Sequence, residues 1–198
     1  GWNGFSCYGA SNTFCTNTEV SVCGDVGIDT YAHTIITGNY VHTINGIYGS
    51  NNARWAIACE ADEGSNPQNS VISNNRIDGA QNGIVISASG GGNINNIMIS
   101  GNEVANTVDS GIVLQDSDDT VIEYNDLINC ALYGVSITTY TGTSDSNTIY
   151  GNTFTNCGTN ISDQGTNTHY TLSPEPTPTA TPNPTTTPTP TVTPTPSP

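Results

Sequence analysis

Apolar and polar residues alternate along this chain in short phrases, and the phrases return. One set reads "GIDTYA" from Gly27, "AIACEA" from Ala56, "GIVISA" from Gly83, "GIVLQD" from Gly111 and "GVSITT" from Gly134. Alternation puts Ile28, Ile57, Ile84, Ile112 and Val135, with Thr30, Cys59, Ile86, Leu114 and Ile137, on one face. It puts Asp29, Ala58, Val85, Val113 and Ser136, with Tyr31, Glu60, Ser87, Gln115 and Thr138, on the other. A period of two over four or five residues predicts strands, the first set turned inward and the second outward. No stretch carries a helical period.

A second set of phrases is built around asparagine: "IITGNYV", "VISNNRI", "IMISGNEV", "VIEYNDL" and "TIYGNTF". Asn39, Asn75, Asn102, Asn125 and Asn152 hold the same place in each. Ile36, Ile72, Ile99, Ile122 and Ile149 stand three residues before, and Val41, Ile77, Val104, Leu127 and Phe154 two after. The steps from Asn to Asn are 36, 27, 23 and 27 residues. Repeats of this period predict a stacked array. Coiling the chain keeps like residues aligned, with each turn about 4.8 Å above the last and every strand paired in parallel with its copy. Ile then stacks on Ile inside. Asn stacks on Asn at the bends, where it tolerates left-handed backbone and can bond along the ladder. A second Asn follows four residues on, at Asn106, Asn129 and Asn156.

The Asn and Gly-Ile phrases resemble the right-handed parallel β-helix family, the pectate-lyase-like superfamily with its short β-helix repeats. The resemblance covers roughly residues 27–165. It implies an all-β, right-handed parallel β-helix, a solenoid of about five coils, with an extended Pro/Thr-rich tail after it. Three segments follow: 1–26, a Cys-rich cap or irregular first coil; 27–172, the β-helix; 173–198, the tail. The long first step implies an excursion at about residues 43–54, "TINGIYGSNNAR".

Composition narrows the function. Net charge is −15, there is no Lys, and Arg54 and Arg76 are the two basic residues. That excludes a nucleic-acid footprint and docking on anionic lipid. No apolar run reaches membrane-spanning length, so no membrane-spanning segment is expected. The chain starts at Gly1 and not at Met, so a processed or excised form is expected. Ten of the eleven prolines lie in "SPEPTPTATPNPTTTPTPTVTPTPSP". Such a segment is extended and polyproline-like, a linker or a stalk. Thr177, Thr179, Thr181, Thr185, Thr186, Thr187, Thr189, Thr191, Thr193 and Thr195 are candidate O-glycosylation sites there, and Asn160 is a further glycosylation candidate.

Six cysteines in a Lys-free chain suggest an oxidising, extracellular or cell-surface setting. Cys130 and Cys157 each fall five residues after a ladder Asn, so they stack on adjacent coils, as a disulfide or as an unbonded pair. Cys7, Cys15 and Cys23 pair among themselves or with Cys59, and spacing does not choose. Cysteine spacing gives no zinc signature.

Fold alone assigns no activity. Lyases of the resembled superfamily use a Lys or Arg base, often with calcium held by carboxylates, and its hydrolases use clustered Asp. Arg76 is the one basic residue on a repeat strand. Its column reads Tyr40, Arg76, Glu103, Asp126, Thr153, which makes a cross-strand ion pair the simpler reading. "QDSDD" offers Asp116, Asp118 and Asp119, and "CEADE" offers Glu60, Asp62 and Glu63, either as solvated acidic turns or as catalytic groups. Calcium at Asp116, Asp118 and Asp119 is the only cofactor these residues suggest. A negative surface suits acidic polysaccharide poorly. Outward aromatic candidates are Tyr31, Tyr40, Tyr48, Trp55 and Tyr124; His33, His42 and His169 are scattered.

The favoured expectation is an extracellular structural protein that assembles with itself through open coil ends or the tail, into a filament, sheath or surface layer. The alternatives are a secreted carbohydrate-active enzyme or carbohydrate-binding module, with glycans attached or bound, and an adhesin using the outward pair Val85 and Val113.

Overall fold

The computed structural model describes residues 3–7, 12–44, 55–61, 67–88 and 94–171. Its first coil is β1 (Phe5–Cys7), β2 (Thr13–Thr16) and β3 (Glu19–Ser21). The second is β4 (Val26–Thr30), β5 (Thr34–Thr37) and β6 (Tyr40–His42), and the third β7 (Trp55–Glu60), β8 (Val71–Ser73) and β9 (Arg76–Ala80). The fourth has β10 (Asn82–Ser87), a short β11 (Ile94–Asn95), β12 (Met98–Ser100) and β13 (Glu103–Thr107). The fifth has β14 (Ser110–Gln115), a short β15 (Ser117–Asp118), β16 (Val121–Glu123) and β17 (Asp126–Ile128). The sixth is β18 (Tyr133–Thr138), β19 (Thr148–Tyr150) and β20 (Thr153–Thr155), and β21 (Thr159–Asp163) and β22 (His169–Thr171) follow.

All described regular structure is β, and every pairing is parallel between consecutive turns of a right-handed parallel β-helix. The first sheet runs β1-β4-β7-β10-β14-β18-β21 and the second β2-β5-β8-β12-β16-β19-β22. The third runs β3-β6-β9-β13-β17-β20. The five Asn-bearing coils expected from the repeats are coils two to six. The stack continues by one rung at either end. The strands β1, β2 and β3 form a coil in register with the next: Phe5 lies opposite Ile28, Cys15 opposite Ile36 and Val20 opposite Val41.

The inward columns close into one core. Ile28, Ile57, Ile84 and Ile112 are stacked rung on rung, as are Cys59, Ile86, Leu114 and Ile137, and all are buried. Full burial of each Ile or Leu contributes about 1.5–3 kcal/mol. The glycines of the Gly-Ile phrases have a steric reason. A Cβ on Gly83 would lie 2.5 Å from the Gly111 carbonyl oxygen, and one on Gly111 2.8 Å from that of Gly134. Neighbouring coils approach too closely there for a side chain.

The asparagine ladder is a continuous chain of buried hydrogen bonds. Asn102 Oδ1 accepts from the Asn75 backbone N–H (2.9 Å) and from Asn75 Nδ2 (3.0 Å). Asn102 Nδ2 donates to Ile72 O (3.0 Å) and to Asn125 Oδ1 (2.9 Å). The pattern recurs at Asn39, Asn75, Asn125 and Asn152, all buried. In the first coil Thr18 takes the place of Asn and donates its N–H to Asn39 Oδ1 (2.9 Å). One detail differs from expectation. The left-handed residue is not the ladder Asn but the one before it: Gly38, Asn74, Gly101, Tyr124 and Gly151. That turn frees the ladder side chain to point inward. The second Asn row is left-handed as well and exposed, with Asn156 donating to Asn129 and Asn129 to Asn106.

The outward set needs a larger correction. Asp29, Ala58, Val85, Ser87 and Ser136 point away from the core by register yet are buried. Alternation reports which side of the sheet a residue faces, but not whether that side is covered. Val85 is 2% exposed, so Val85 and Val113 form no exposed adhesive pair. An apolar column lies instead on the outer face of the second sheet, where Phe14, Ile35, Val71, Met98 and Val121 stand side by side, Phe14 and Met98 exposed and the other three half-buried.

Removing a ladder amide orphans buried groups on both neighbouring coils. We expect Asn102→Ala to lower stability by about 3 kcal/mol or more, at about 1–3 kcal/mol per buried orphan. Asn106→Gly, on the exposed left-handed row, should change it by less than about 1 kcal/mol. Urea unfolding of both variants measures the difference.

Candidate functional site: a carboxyl pair on the outer face of the first sheet

Asp29 sits near the end of β4 and Glu60 at the end of β7. Pairing sets Asp29 opposite Ala58 and Thr30 opposite Cys59. Tyr31 therefore lies opposite Glu60, and all three side chains leave the same outer face. Tyr31 donates its hydroxyl to Glu60 Oε2 at 3.0 Å. Asn3 Nδ2 donates to Asp29 Oδ2 at 2.7 Å. Asp29 Oδ1 is buried with no hydrogen-bond partner, in a residue only 3% exposed. Glu60 and Tyr31 are half-buried.

The electrostatics follow from this geometry. Burial pushes the Asp29 carboxyl up to about 7. The Glu60 charge adds to the shift, as does a hydrogen bond between the two carboxyls, with a smaller push from Asp25. The Tyr31 hydroxyl acts the other way on Asp29. Burial, with the charges of Glu60 and Asp29, raises the Tyr31 phenol, which stays a donor. Near neutral pH the Asp29 carboxyl is therefore partly protonated and can donate as well as accept.

The candidates read from the sequence have other work. Asp116 Oδ1 accepts from the Tyr140 N–H (2.7 Å), and its Oδ2 from the Thr141 N–H (2.9 Å) and hydroxyl (3.3 Å). Asp118 Oδ1 accepts from the Asp145 N–H at 2.7 Å and from the Thr143 hydroxyl at 3.3 Å. Asp119 is exposed, and its own N–H donates to Asp145 O. Asp116 and Asp118 each fasten part of the next coil's turn. Among the described residues no three His, Cys, Asp or Glu gather to hold a metal, at these positions or elsewhere.

Arg76 forms the expected ion pair, Nε to Glu103 Oε1 at 3.1 Å, exposed on both sides, and its guanidinium lies over the Tyr40 ring. Such a pair adds at most about 1 kcal/mol. Its column runs Tyr40, Arg76, Glu103, Asp126, Thr153 as read. All six cysteines are thiols here, with Cys130 beside Cys157. Asn160 is exposed. Asp62, Glu63, Tyr48, Arg54, most of the 43–54 excursion and the tail threonines lie outside the described residues.

Asp29 went unmarked because parity placed it on the outward face and said nothing of what covers that face. Its column held the signal: the other rungs carry Ser6, Ala58, Val85, Val113, Ser136 and Ser162, none of them charged.

Fold and site together define a right-handed parallel β-helix with a carboxyl pair on its outer face. The chain belongs to the NosD family, whose model, described as "Periplasmic copper-binding protein (NosD)", matches residues 2–186. It is similar in fold to a double mutant of the periplasmic alginate epimerase AlgG, with 15% identity and a TM-score of 0.53, covering 86% of this chain and 48% of that one. Another crystal structure of that epimerase gives 16% identity and a TM-score of 0.44 over the same shares. The chain therefore spans about half the length of these structures. No curated protein matches it.

An Asp held near 7 in the folded chain and near 3.9 in the unfolded one binds its proton more tightly when folded. That favours folding below about pH 4, and the advantage is lost as pH rises to and through about 7. Asp29→Asn keeps an acceptor for Asn3 and has no charge to bury. We expect it to unfold at higher urea than the parent at pH 8, by about 1–3 kcal/mol, with the gap closing toward pH 4.5.

Proposed function

We propose that this chain works outside the cytoplasm as a β-helix protein that engages a polysaccharide on the outer face of its first sheet, at Glu60 and Asp29. The observation that carries this reading is the Asp29 carboxyl, buried with Oδ1 unpartnered and pushed up to about 7 beside the more accessible Glu60. A protonated pair can donate to one sugar hydroxyl and accept from another. Family membership and the fold's likeness to a periplasmic polysaccharide epimerase support the location and the ligand class. The net charge of −15 favours a neutral glycan over a polyanion.

The family's description names copper, which binds through imidazole, thiolate or thioether. The residues here do not fit it. His33 bonds Asn12 and His42 bonds Glu19, and no three candidate ligands meet among the described residues. Cys59 lies in the core, where burial pushes its thiol up to about 12. No step is assigned to copper.

Calorimetric titration with soluble neutral glycans, and with a uronate polymer for comparison, tests the proposal. At least one neutral glycan should bind, its affinity should fall as pH rises above about 7, and Glu60→Gln should weaken it tenfold or more. Unchanged binding in Glu60→Gln, or none to any neutral glycan, overturns the reading.

End-to-end assembly is a second reading, favoured by one observation. Tyr170 occupies the inward column above Ile149 yet is 54% exposed, so the last described rung shows core-column surface. A second copy stacked there would bury it. Light scattering should show a concentration-dependent rise in mass that Tyr170→Asp abolishes; a monomer throughout the millimolar range rejects it.

A further inference from the structure

Cys130 and Cys157 occupy equivalent places on consecutive coils. β17 and β20 pair Leu127 with Phe154 and Ile128 with Thr155, and two residues on the two cysteines face one another. The register holds beyond the strands, because the Gly158 N–H donates to Cys130 O at 3.0 Å. Parallel rungs set equivalent Cα atoms about 4.8 Å apart, inside the span of about 4.4–6.8 Å that a disulfide bridges. Cys130 is fully buried and Cys157 half-buried against the core. The Cys157 thiol also approaches Leu127 O at 3.4 Å, so its side chain turns toward the fifth coil. The other cysteines are placed differently. Cys7 and Cys59 are separated in their column by Thr30, and Cys15 lies on another sheet.

We propose that Cys130 and Cys157 form a disulfide clasp joining the fifth and sixth coils when the chain meets an oxidising compartment. Burial, followed by the neighbouring sulfur, pushes the Cys130 thiol up to about 12, so the half-buried Cys157 is the sulfur that reacts first. Its thiolate attacks one sulfur of a small-molecule or protein disulfide, forming a mixed disulfide and expelling that reagent's other sulfur as a thiolate. Cys130 then loses its proton and attacks the Cys157 sulfur. The second reagent thiolate leaves. Two thiols are oxidised, one external disulfide is reduced to a dithiol, and two protons pass to solvent or to the leaving thiolates. The clasp closes a segment that contains β18, β19 and β20 near the end of the described stack, where fewer rungs hold the coil.

The test uses the full chain folded with oxidised dithiothreitol or with a phosphine reductant. Free thiols are then blocked with N-ethylmaleimide in denaturant, and peptic fragments are mapped by mass spectrometry. Pepsin is needed because the chain has only two tryptic sites. The expected result is a linked peptide pair containing Cys130 and Cys157 in the oxidised sample, and both cysteines alkylated in the reduced one. The oxidised chain should also unfold at higher urea, and at least part of that gain should be lost in both Cys157→Ser and Cys130→Ala. Alkylation of both cysteines after oxidation, or their linkage to other partners, overturns the proposal.

Discussion

The buried amide of each ladder asparagine has to find its partners on the neighbouring coils, and the rest of the molecule is arranged around that requirement. Burying Ile against Ile is favourable but non-directional, and a stack of Ile would tolerate many offsets. A buried amide does not. Asn75, Asn102 and Asn125 satisfy backbone and side-chain groups above and below them with hydrogen bonds of 2.9–3.0 Å. A slip of one residue would turn the amide out of the bend and the adjoining Ile to the surface. The ladder therefore decides the register in which the hydrophobic columns are buried.

Fixing register at one corner leaves length free elsewhere. Between the second and third sheets the turn is always two residues, as at Asn74–Asn75 and Gly101–Asn102. Between the first and second sheets it varies, from three residues after β4 to ten after β7. Together with the connection from the third sheet to the first, twelve residues after β6 and one after β9, that freedom produces the unequal steps of 36, 27, 23 and 27 residues. It falls beside the edge of the first sheet where Glu60 and Tyr31 project. A solenoid can thus change what meets its outer face without disturbing the stack, which is the usual division between a rigid scaffold and the loops it carries.

How legible these features were in the sequence follows from the same division. Ile57, Ile84 and Ile112 could be placed because their slot repeats and its environment repeats with it. The first coil was harder, since Cys15, Thr18 and Val20 fill slots that later hold Ile, Asn and apolar residues without repeating the phrase. Asp116 and Asp118 drew attention as an acidic run on a turn. Their partners, the N–H groups of Tyr140, Thr141 and Asp145, are 24 to 27 residues away, and only coiling brings them close. Asp29 was hidden for a related reason: parity names a face, whereas burial depends on what lies over it.

The position of Asp29 is itself the strongest argument that the outer face of the first sheet does more than hold the fold. Four other rungs of its column carry Ala58, Val85, Val113 and Ser136, each compatible with cover at little cost. A carboxyl in that place must be neutralised or matched, and its Oδ1 is neither hydrogen-bonded nor solvated. With the Glu60 carboxyl beside it, burial holds Asp29 near 7, so a proton is retained there at neutral pH, and on the proposed reading that proton is what makes the pair useful. A doubly ionised pair could only accept hydrogen bonds and would repel anionic ligands. A singly protonated one recognises a hydroxyl from both sides. On the proposed reading, the cost of burying Asp29 and the capacity of Glu60 to meet a sugar are two consequences of one arrangement.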